Sequence, residues 1–157
     1  MASAPSEPMQ LLTFVLAEVE LALKLLEVTQ VVEYLEPTRV PHLPEVIRGV
    51  INLRGSVVPV VDLRLKLGLA ARPVTRRTCI VVVETREAGT LGIVADSVRQ
   101  VADIAPEELL PVPDFGIPVR AEYLLGICKP GERMVLVIDA PKALSPAELL
   151  AATEAAA

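Results

Sequence analysis

Short runs of hydrophobic and β-branched residues, separated by turn-forming residues, recur along most of the chain. Between Met9 and Val32, apolar positions alternate with single acids such as Glu18 and Glu20. The leucine content of this region alone favours helix, but its threonine, phenylalanine and valine residues favour strand. We therefore predict two strands here, joined by a hairpin turn in the charged segment from Glu18 to Glu20.

A second hairpin gives the clearest signal in the pattern. The β-branched runs Val46 to Leu53 and Val57 to Asp62 are connected by Arg54 to Ser56, and Gly55 can supply the positive φ that such a connection needs. The nearly continuous valine and isoleucine predict burial on both faces of these strands. Pro59 cannot donate a ladder hydrogen bond, so we expect its strand to lie at an edge or to carry a bulge there.

Capping signals predict one short helix and one separate helical turn. Asp62 has the character of an N-cap and Gly68 that of a C-terminal stop, and together they frame a helix from Leu63 to Leu67. Pro106 is followed by two acids, a pattern typical of the first turn of a helix because acids stabilise its positive end.

The second half of the chain continues the β pattern. The run from Thr78 to Glu84 predicts a strand and Glu87 to Gly89 a turn. The stretch from Thr90 to Ile104 predicts one long, bent strand, in which Gly92 and Ser97 could mark the bends.

Two further strands, Tyr123 to Cys128 and Met134 to Asp139, are predicted around the turn from Lys129 to Gly131. Many short strands with turns between them predict an all-β fold, either a barrel or a sandwich.

The two ends of the chain differ from the region between them. Residues 1–8 are small, polar and proline-bearing, so we expect a flexible N-terminal arm. The segment from Ser145 to Glu148 has capping-box form and precedes an alanine-rich stretch, which predicts a C-terminal helix or tail over residues 145–157.

Composition narrows the possible functions. A chain of 157 residues fits one compact domain or two very small barrels. Its residues are 52% hydrophobic and 22% charged, a balance typical of globular proteins. A net charge of −5 and 3% aromatic residues provide neither the basic surface nor the stacking platforms that nucleic-acid binding uses. We therefore expect no nucleic acid among the partners.

The sequence also indicates a compartment. The first basic residue is Lys24, so the apolar segment Leu11 to Leu16 has no positively charged leader before it. Acidic residues interrupt the N-terminal apolar region, and no stretch approaches the ~20 uncharged residues of a spanning helix. Cys79 and Cys128 lie in apolar surroundings and are interpreted as buried thiols. We expect a soluble, cytoplasmic protein without direct membrane insertion.

Candidate chemistry is sparse. His42 is the only histidine, and it lies between a proline and a leucine with no cysteine near it. The sequence contains no GxGxxG, P-loop, HExxH or GxSxG motif. We expect capping or solvated roles for the acids at strand ends, and we predict no catalytic residue, metal, nucleotide or covalent cofactor; these acids are Asp62, Asp96, Asp103 and Asp139. Eleven of the fifteen cations are arginines, which suit protein interfaces because the guanidinium binds carboxylates bidentately.

The segment Ile47 to Arg64, which reads IRGVINLRGSVVPVVDLR, closely resembles the signature of the CheW family of chemotaxis adaptors. The similarity continues through Gly92 to Asp96, Glu122 to Gly126 and Arg133 to Asp139. It extends over roughly Leu11 to Leu144, so it accounts for almost the whole chain.

The resemblance implies both a fold and a function. The expected fold is two SH3-like five-stranded β-barrels packed together, with residues 9–144 forming a CheW-like domain of two intertwined barrel subdomains. The expected function is non-enzymatic: the adaptor would couple methyl-accepting chemoreceptors to the histidine kinase CheA. One surface would bind the CheA regulatory domain and another the cytoplasmic tip of the receptors, which would place the protein at membrane-associated receptor arrays through its partners.

The resemblance also implies partner-binding roles for six positions: Val28, Gln30, Gly49, Arg54, Gly55 and Gly92. Gln30 is the weakest of these matches, because the family usually carries an acid at this position, where a charge contact is expected. Each position also has a purely structural interpretation, since the glycines could serve backbone geometry, Val28 the core and Arg54 a solvated turn.

The alternative function is a small-ligand-binding or accessory enzymatic β-barrel. An adaptor needs exposed apolar strips and arginines at a barrel edge, whereas the alternative needs a deep pocket with convergent polar groups.

Overall fold

The computed structural model describes residues 8–113 and 116–145. Within them, ten strands form two five-stranded sheets. In chain order the strands are β1 (Met9–Leu16), β2 (Val19–Lys24), β3 (Val28–Glu33), β4 (Ile47–Leu53), β5 (Ser56–Val61), β6 (Cys79–Thr85), β7 (Gly89–Ala95), β8 (Ser97–Ile104), β9 (Leu124–Cys128) and β10 (Val135–Ile138).

The chain passes from one sheet to the other and back. The first sheet has the order β8-β1-β2-β10-β9, and the second has the order β3-β6-β7-β5-β4. The helices are short: α1 (Leu63–Leu67), α2 (Ala140–Ala143) and the 3-10 segments Leu25–Glu27, Pro106–Glu108, Ala121–Tyr123 and Pro130–Glu132. The all-β prediction is confirmed, and the two sheets are consistent with SH3-like barrels. Within the described residues, no helix is long and apolar enough to cross a membrane.

The N-terminal region contains three strands, where the sequence predicted two. The turn between β1 and β2 consists of Ala17 and Glu18, whose φ angles of 49° and 69° are both positive, and Leu16 pairs with Val19. Glu20 therefore lies in β2, opposite Val15, rather than in the turn. A tight turn needs only two residues with positive φ, so the charged segment continues as strand.

The hairpin of β4 and β5 is confirmed, but its connection is shorter than predicted. Leu53 pairs directly with Ser56, which leaves Arg54 and Gly55 as a two-residue turn. Their φ angles are 51° and 88°, as in the I′ turns that match the twist of paired strands.

Two expectations about β5 are wrong. This strand lies between β7 and β4, so it is not an edge strand, and the bulge in the hairpin falls between Ile47 and Gly49 rather than at Pro59. The parallel pairing with β7 involves Val60 and Val61, so Pro59 precedes the positions where an N–H donor is needed. The prediction that both faces of these strands are buried is also wrong at the tip of the hairpin, where Val57 is 67% exposed.

The helix predicted between Asp62 and Gly68 is confirmed at Leu63–Leu67. The Arg64 N–H donates to Asp62 Oδ1 at 3.0 Å, and Gly68 ends the helix with a φ of 78°. The predicted helical turn after Ala105 is also present, as a 3-10 segment.

The long strand predicted from Thr90 to Ile104 is wrong. It is two strands, β7 and β8, which belong to different sheets, and Asp96 is the residue between them. Ser97 begins β8, but Gly92 marks no bend, because it pairs in parallel with Val60 inside the second sheet. Hydrophobic alternation continues through the crossover, so the pattern does not show that the chain changes sheets.

One core joins the two sheets. Its buried residues include Phe14 and Leu21 from the first sheet and Val61 and Ile93 from the second. A smaller cluster lies within each sheet, around Leu11, Ala22 and Val137 in the first and around Ile51, Val60 and Ile80 in the second. The two sheets therefore share one core, and each also encloses a smaller cluster of its own.

The last two predicted strands are confirmed as β9 and β10. The helix α2, which follows β10 directly and is capped by Asp139 through the Lys142 N–H, was not predicted. The predicted N-terminal arm and C-terminal helix lie outside the described residues, except for Pro8 and Ser145.

Candidate partner-binding surface

Arg54 lies at the exposed tip of the β4–β5 hairpin. The Gly55 N–H donates to Asn52 Oδ1 at 2.8 Å, and this hydrogen bond stabilises the turn. Because both turn residues have positive φ, the backbone leaves the sheet tightly and holds the Arg54 side chain in solvent. This placement agrees with the sequence-based expectation that Arg54 is an exposed turn residue.

Gln30 and Arg54 come together at one surface depression of about 430 Å³, which we name the hairpin depression. Gln30 belongs to β3, an edge strand of the second sheet, and is exposed. Val57, also in the lining, is 67% exposed. The full lining is Thr29, Gln30, Leu53, Arg54, Ser56, Val57, Val58, Val82 and Thr90.

Val28 begins β3 and is half-buried against the core that joins the sheets. It pairs with Val83, and a bulge separates it from Gln30, which pairs with Val82. Val28 is therefore next to the hairpin depression along the chain but does not line it.

Gly49 is buried in β4 and serves close backbone packing. Its φ is 149°, and a Cβ placed there would be 2.3 Å from the carbonyl oxygen of Thr38. Thr38 and Val50 exchange two backbone hydrogen bonds of 2.8 and 2.9 Å. Only glycine allows the preceding loop to pair so closely with β4, so any effect of Gly49 on binding would pass through this loop.

Gly92 is buried between two strands. A Cβ placed there would be 2.7 Å from Ile80 Cγ2, so the absence of a side chain makes room for the Ile80 side chain of β6. Neither Gly49 nor Gly92 lines the hairpin depression.

An ionic cluster behind the hairpin was missed by sequence reasoning, which gave Asp62 and Asp96 only capping or solvated roles. Arg64 forms ion pairs with Asp62 at 2.9 Å and with Asp96 at 3.3 Å. Arg48 adds a further pair with Asp62 at 3.3 Å. The Asp-x-Arg spacing in the segment Asp62 to Arg64 is the signal that could have suggested the first pair, since a helix N-cap and the second helical residue lie close together.

Desolvation and pairing shift several pKa values. Hydrogen bonding to Asp62 raises the pKa of Arg64, so its charge is permanent. Burial raises the pKa of Cys128 to about 11, as expected for an inert buried thiol. Burial also raises the pKa of Cys79, although Cys79 is partly exposed and not fully buried as predicted.

Glu27 has an unusual environment. Its Oε1 is buried without a hydrogen-bond partner among the described residues. Burial raises the pKa of Glu27, Lys24 opposes this shift, and Asp139 adds to it.

A second depression of about 560 Å³ lies between the sheets, and we name it the inter-sheet groove. One wall comes from the second sheet and its loop, with Val31, Arg77 and Cys79. The other wall comes from β8, with Ser97, Val98, Arg99 and Gln100. Val31 is 43% exposed. Both depressions thus combine exposed valine with arginine, which favours the adaptor over the ligand-binding alternative.

Metal-binding geometry is absent from the part of the chain that the structure describes, where no group of three or more His, Cys, Asp or Glu side chains could hold an ion. His42 lies in an exposed loop, with a φ of 69°.

Comparison with known proteins gives a consistent result. The CheW-like domain model matches residues 10–148. The chain is 34% identical to the chemotaxis protein CheW of Klebsiella aerogenes, over 89% of this chain and 84% of that protein. It is 31% identical to the chemotaxis protein CheW of Bacillus subtilis, over 83% of each chain.

A solved structure shows the same similarity in three dimensions. The scaffolding protein TtCheW of Thermoanaerobacter tengcongensis superimposes with a TM-score of 0.78 at 29% identity, over 88% of this chain and 89% of that one. A family match over most of the sequence, close curated relatives and a shared fold agree with one another, and the chain therefore belongs to the CheW-like domain family.

Proposed function

We propose that this protein is a chemotaxis adaptor that couples methyl-accepting chemoreceptors to the histidine kinase CheA by binding both. Membership of the CheW-like domain family is the observation that carries this proposal. The names of the relatives, chemotaxis proteins and a scaffolding protein, support it. In this role the chain is not an enzyme and needs no cofactor.

The hairpin depression is the proposed contact with one of these partners. It brings Gln30 and Arg54 together beside the exposed Val57. An exposed valine offers apolar area to a partner, and the Arg54 guanidinium offers a bidentate site for a carboxylate. Gly55 supports this contact by shaping the turn, whereas Val28, Gly49 and Gly92 would act by positioning the strands behind it.

The architecture supports a two-partner scaffold. We propose that the two sheets correspond to two intertwined barrel subdomains within residues 9–144, so that one rigid body presents two separate surfaces. The protein would act in the cytoplasm and reach membrane-associated receptor arrays through its partners, without nucleic acid and without inserting into the membrane itself.

The proposal is tested by titrating the purified protein separately with the isolated CheA regulatory domain and with a soluble receptor-tip fragment from the same cells. We expect measurable binding to each, and a ternary complex when all three are mixed. The proposal would be overturned if the protein failed to bind at least one of the two partners. Mutually exclusive binding of the two partners would contradict the coupling role.

A further inference from the structure

The ionic cluster around Arg64 connects the two sheets, and its geometry suggests a function. The Arg64 side chain is 7% exposed, and its guanidinium contacts Asp62 through Nε at 2.9 Å and Nη2 at 3.1 Å. Asp62 directly follows β5 and caps α1. This bidentate pair fixes the Arg64 guanidinium beside the end of β5 and leaves Nη1 to donate to other acceptors.

Through Nη1, Arg64 reaches the crossover between the sheets. Nη1 donates to Asp96 Oδ1 at 3.3 Å. Asp96 in turn accepts the Ala17 N–H on Oδ2 at 2.7 Å, and its own N–H donates to the Val15 carbonyl at 2.9 Å. Asp96 is thus held by the β1–β2 hairpin of the first sheet on one side and by Arg64 on the other.

Asp96 directly precedes Ser97, the first residue of β8. Because β8 supplies one wall of the inter-sheet groove, the position of Asp96 sets where that wall begins. Asp96 also directly follows Ala95, the last residue of β7 in the second sheet. The contact between Arg64 and Asp96 therefore adds a side-chain tie to this covalent link and restricts the direction in which β8 leaves the second sheet.

The same Nη1 also contacts the loop that supplies Arg77 to the opposite wall. It donates to the Arg72 carbonyl at 3.1 Å, and the Arg72 side chain pairs with Glu18 at 2.6 Å. The loop is then held as far as β6, because the Thr75 N–H donates to Thr78 Oγ1 at 2.8 Å. Arg77, which lines the groove, lies within this ordered stretch.

From these contacts we infer that Arg64 is a positioning residue that sets the separation of the two walls of the inter-sheet groove. One buried guanidinium holds Asp96 at the base of the β8 wall and the Arg72 carbonyl at the base of the loop wall. Fully satisfied buried polar networks specify a single arrangement of the elements they join. The importance of the groove for binding rests on the proposed function, but its geometry can be measured without any partner.

The test is a distance measurement across the groove by pulsed electron spin resonance. Spin labels are attached at Arg76→Cys and Val101→Cys, exposed positions next to the two walls, in a Cys79→Ala background. In the protein with an intact Arg64 we expect one narrow distance distribution. In Arg64→Met we expect a broader distribution shifted to longer distances, measured well below the melting temperature.

Two further variants separate positioning from general stability. Asp96→Asn keeps an oxygen for the Ala17 N–H but removes the charge facing Arg64, so we expect a smaller shift in the same direction. Arg86→Met removes an exposed arginine from the β6–β7 turn, and we expect no change.

The inference is overturned if folded Arg64→Met and Asp96→Asn keep the distribution of the parent protein, even if they melt at lower temperature. If Arg64→Met does not fold, Asp96→Asn decides the matter alone. Loss of partner binding with unchanged distances would also count against the inference, because a positioning role must move the walls. Altered distances in Arg64→Met would uphold the inference even if the parent protein bound neither partner, a result that would contradict only the proposed function.

Discussion

Arg54 and Arg64 illustrate how environment separates two residues of the same type. Arg54 is exposed at a turn, where its charge is solvated and contributes little to folding. Arg64 is buried and paired with two carboxylates, where its removal would leave uncompensated charges in the interior. A substitution of Arg54 can therefore weaken binding without unfolding the protein. A substitution of Arg64 should also destabilise the fold, so a stability measurement alone does not reveal its role.

The first prediction concerns Arg54→Ala. Because this side chain is exposed, the free energy of unfolding should change by no more than ~0.5 kcal/mol. If Arg54 pairs with a carboxylate in a desolvated interface, its loss should weaken association with one partner by about 2 kcal/mol, roughly thirtyfold. Arg54→Glu should weaken it further through like-charge repulsion. Calorimetric titration against each partner and parallel thermal melts provide the measurements.

Arg86→Ala is the matched control for this prediction, since it removes another exposed turn arginine of the second sheet. It should leave both affinities unchanged. Unchanged affinity of Arg54→Ala for both partners would remove Arg54 from the proposed surface, and a large fall in its melting temperature would return it to a structural role.

The second prediction concerns Glu27, the half-buried acid in the 3-10 segment between β2 and β3. Burial raises the pKa of Glu27 above its ordinary value of 4.5, so the fold favours the protonated form. The charged form is accordingly penalised, and stability is lost as the pH rises through the folded-state pKa. Glu27→Gln should raise the free energy of unfolding at pH 7, and the gain should disappear below pH 4.5, where glutamate is protonated in both states.

Urea denaturation at several pH values measures this effect. Glu87→Gln is the control, because Glu87 is exposed in a turn and its replacement should leave stability unchanged across the series. A Glu27→Gln variant that is less stable than the parent at pH 7 would show that pairing with Lys24 outweighs the cost of burial.

At the scale of single elements, the sequence predicts well wherever the signal is local. Asp62 and Gly68 define α1 correctly because an N-cap and a left-handed C-terminal residue are each recognisable in isolation. The hairpin tip is likewise encoded by Arg54 and Gly55. The prediction fails at Asp96, since the change of sheet there depends on a hydrogen bond to Val15, far away in the chain.

The third prediction compares two glycine-to-alanine substitutions in the β4–β5 hairpin. Gly55→Ala introduces only backbone strain, because its φ is 88° and a Cβ would have open space around it. Such strain costs about 1–2 kcal/mol. Gly49→Ala combines a φ of 149° with a contact of 2.3 Å to the Thr38 carbonyl oxygen, so overpacking should add about 1–3 kcal/mol.

Chemical denaturation of both variants measures the two costs, and hydrogen exchange at Thr38 and Val50 locates the damage. We expect those two amides to lose protection in Gly49→Ala but not in Gly55→Ala. Equal destabilisation by the two substitutions would mean that the loop before β4 moves away from the new Cβ without cost.

The candidate site shows the same division between local and distant information at the scale of the whole molecule. Sequence resemblance identified Gln30 and Arg54 separately, but their meeting at one depression depends on how the second sheet brings β3 towards the hairpin tip. The cluster that joins Arg64 to Asp96 depends on the packing of two sheets. Hydrophobic periodicity along the chain predicts neither contact, because each contact joins elements that are distant in sequence.

The last prediction follows from the core that the two sheets share. Phe14 of β1 and Ile93 of β7 are both fully buried in it, and the chain enters the second sheet from the first and then returns. Neither sheet can unfold without exposing the apolar surface of the other. We therefore expect a single thermal transition in which the calorimetric and van't Hoff enthalpies agree.

The substitution Ile93→Val tests this cooperativity directly. It should cost about 0.5–1.5 kcal/mol, and the loss should appear equally in the slowest-exchanging amides of both sheets, including those of β1 and β2, because they open only through global unfolding. Ile80→Val, in the cluster confined to the second sheet, is the matched control and should also lower protection in both sheets by the same mechanism. If Ile80→Val lowers protection only in β6 and its neighbours, the second sheet unfolds as an independent unit, and the shared core does not make the two sheets one cooperative unit.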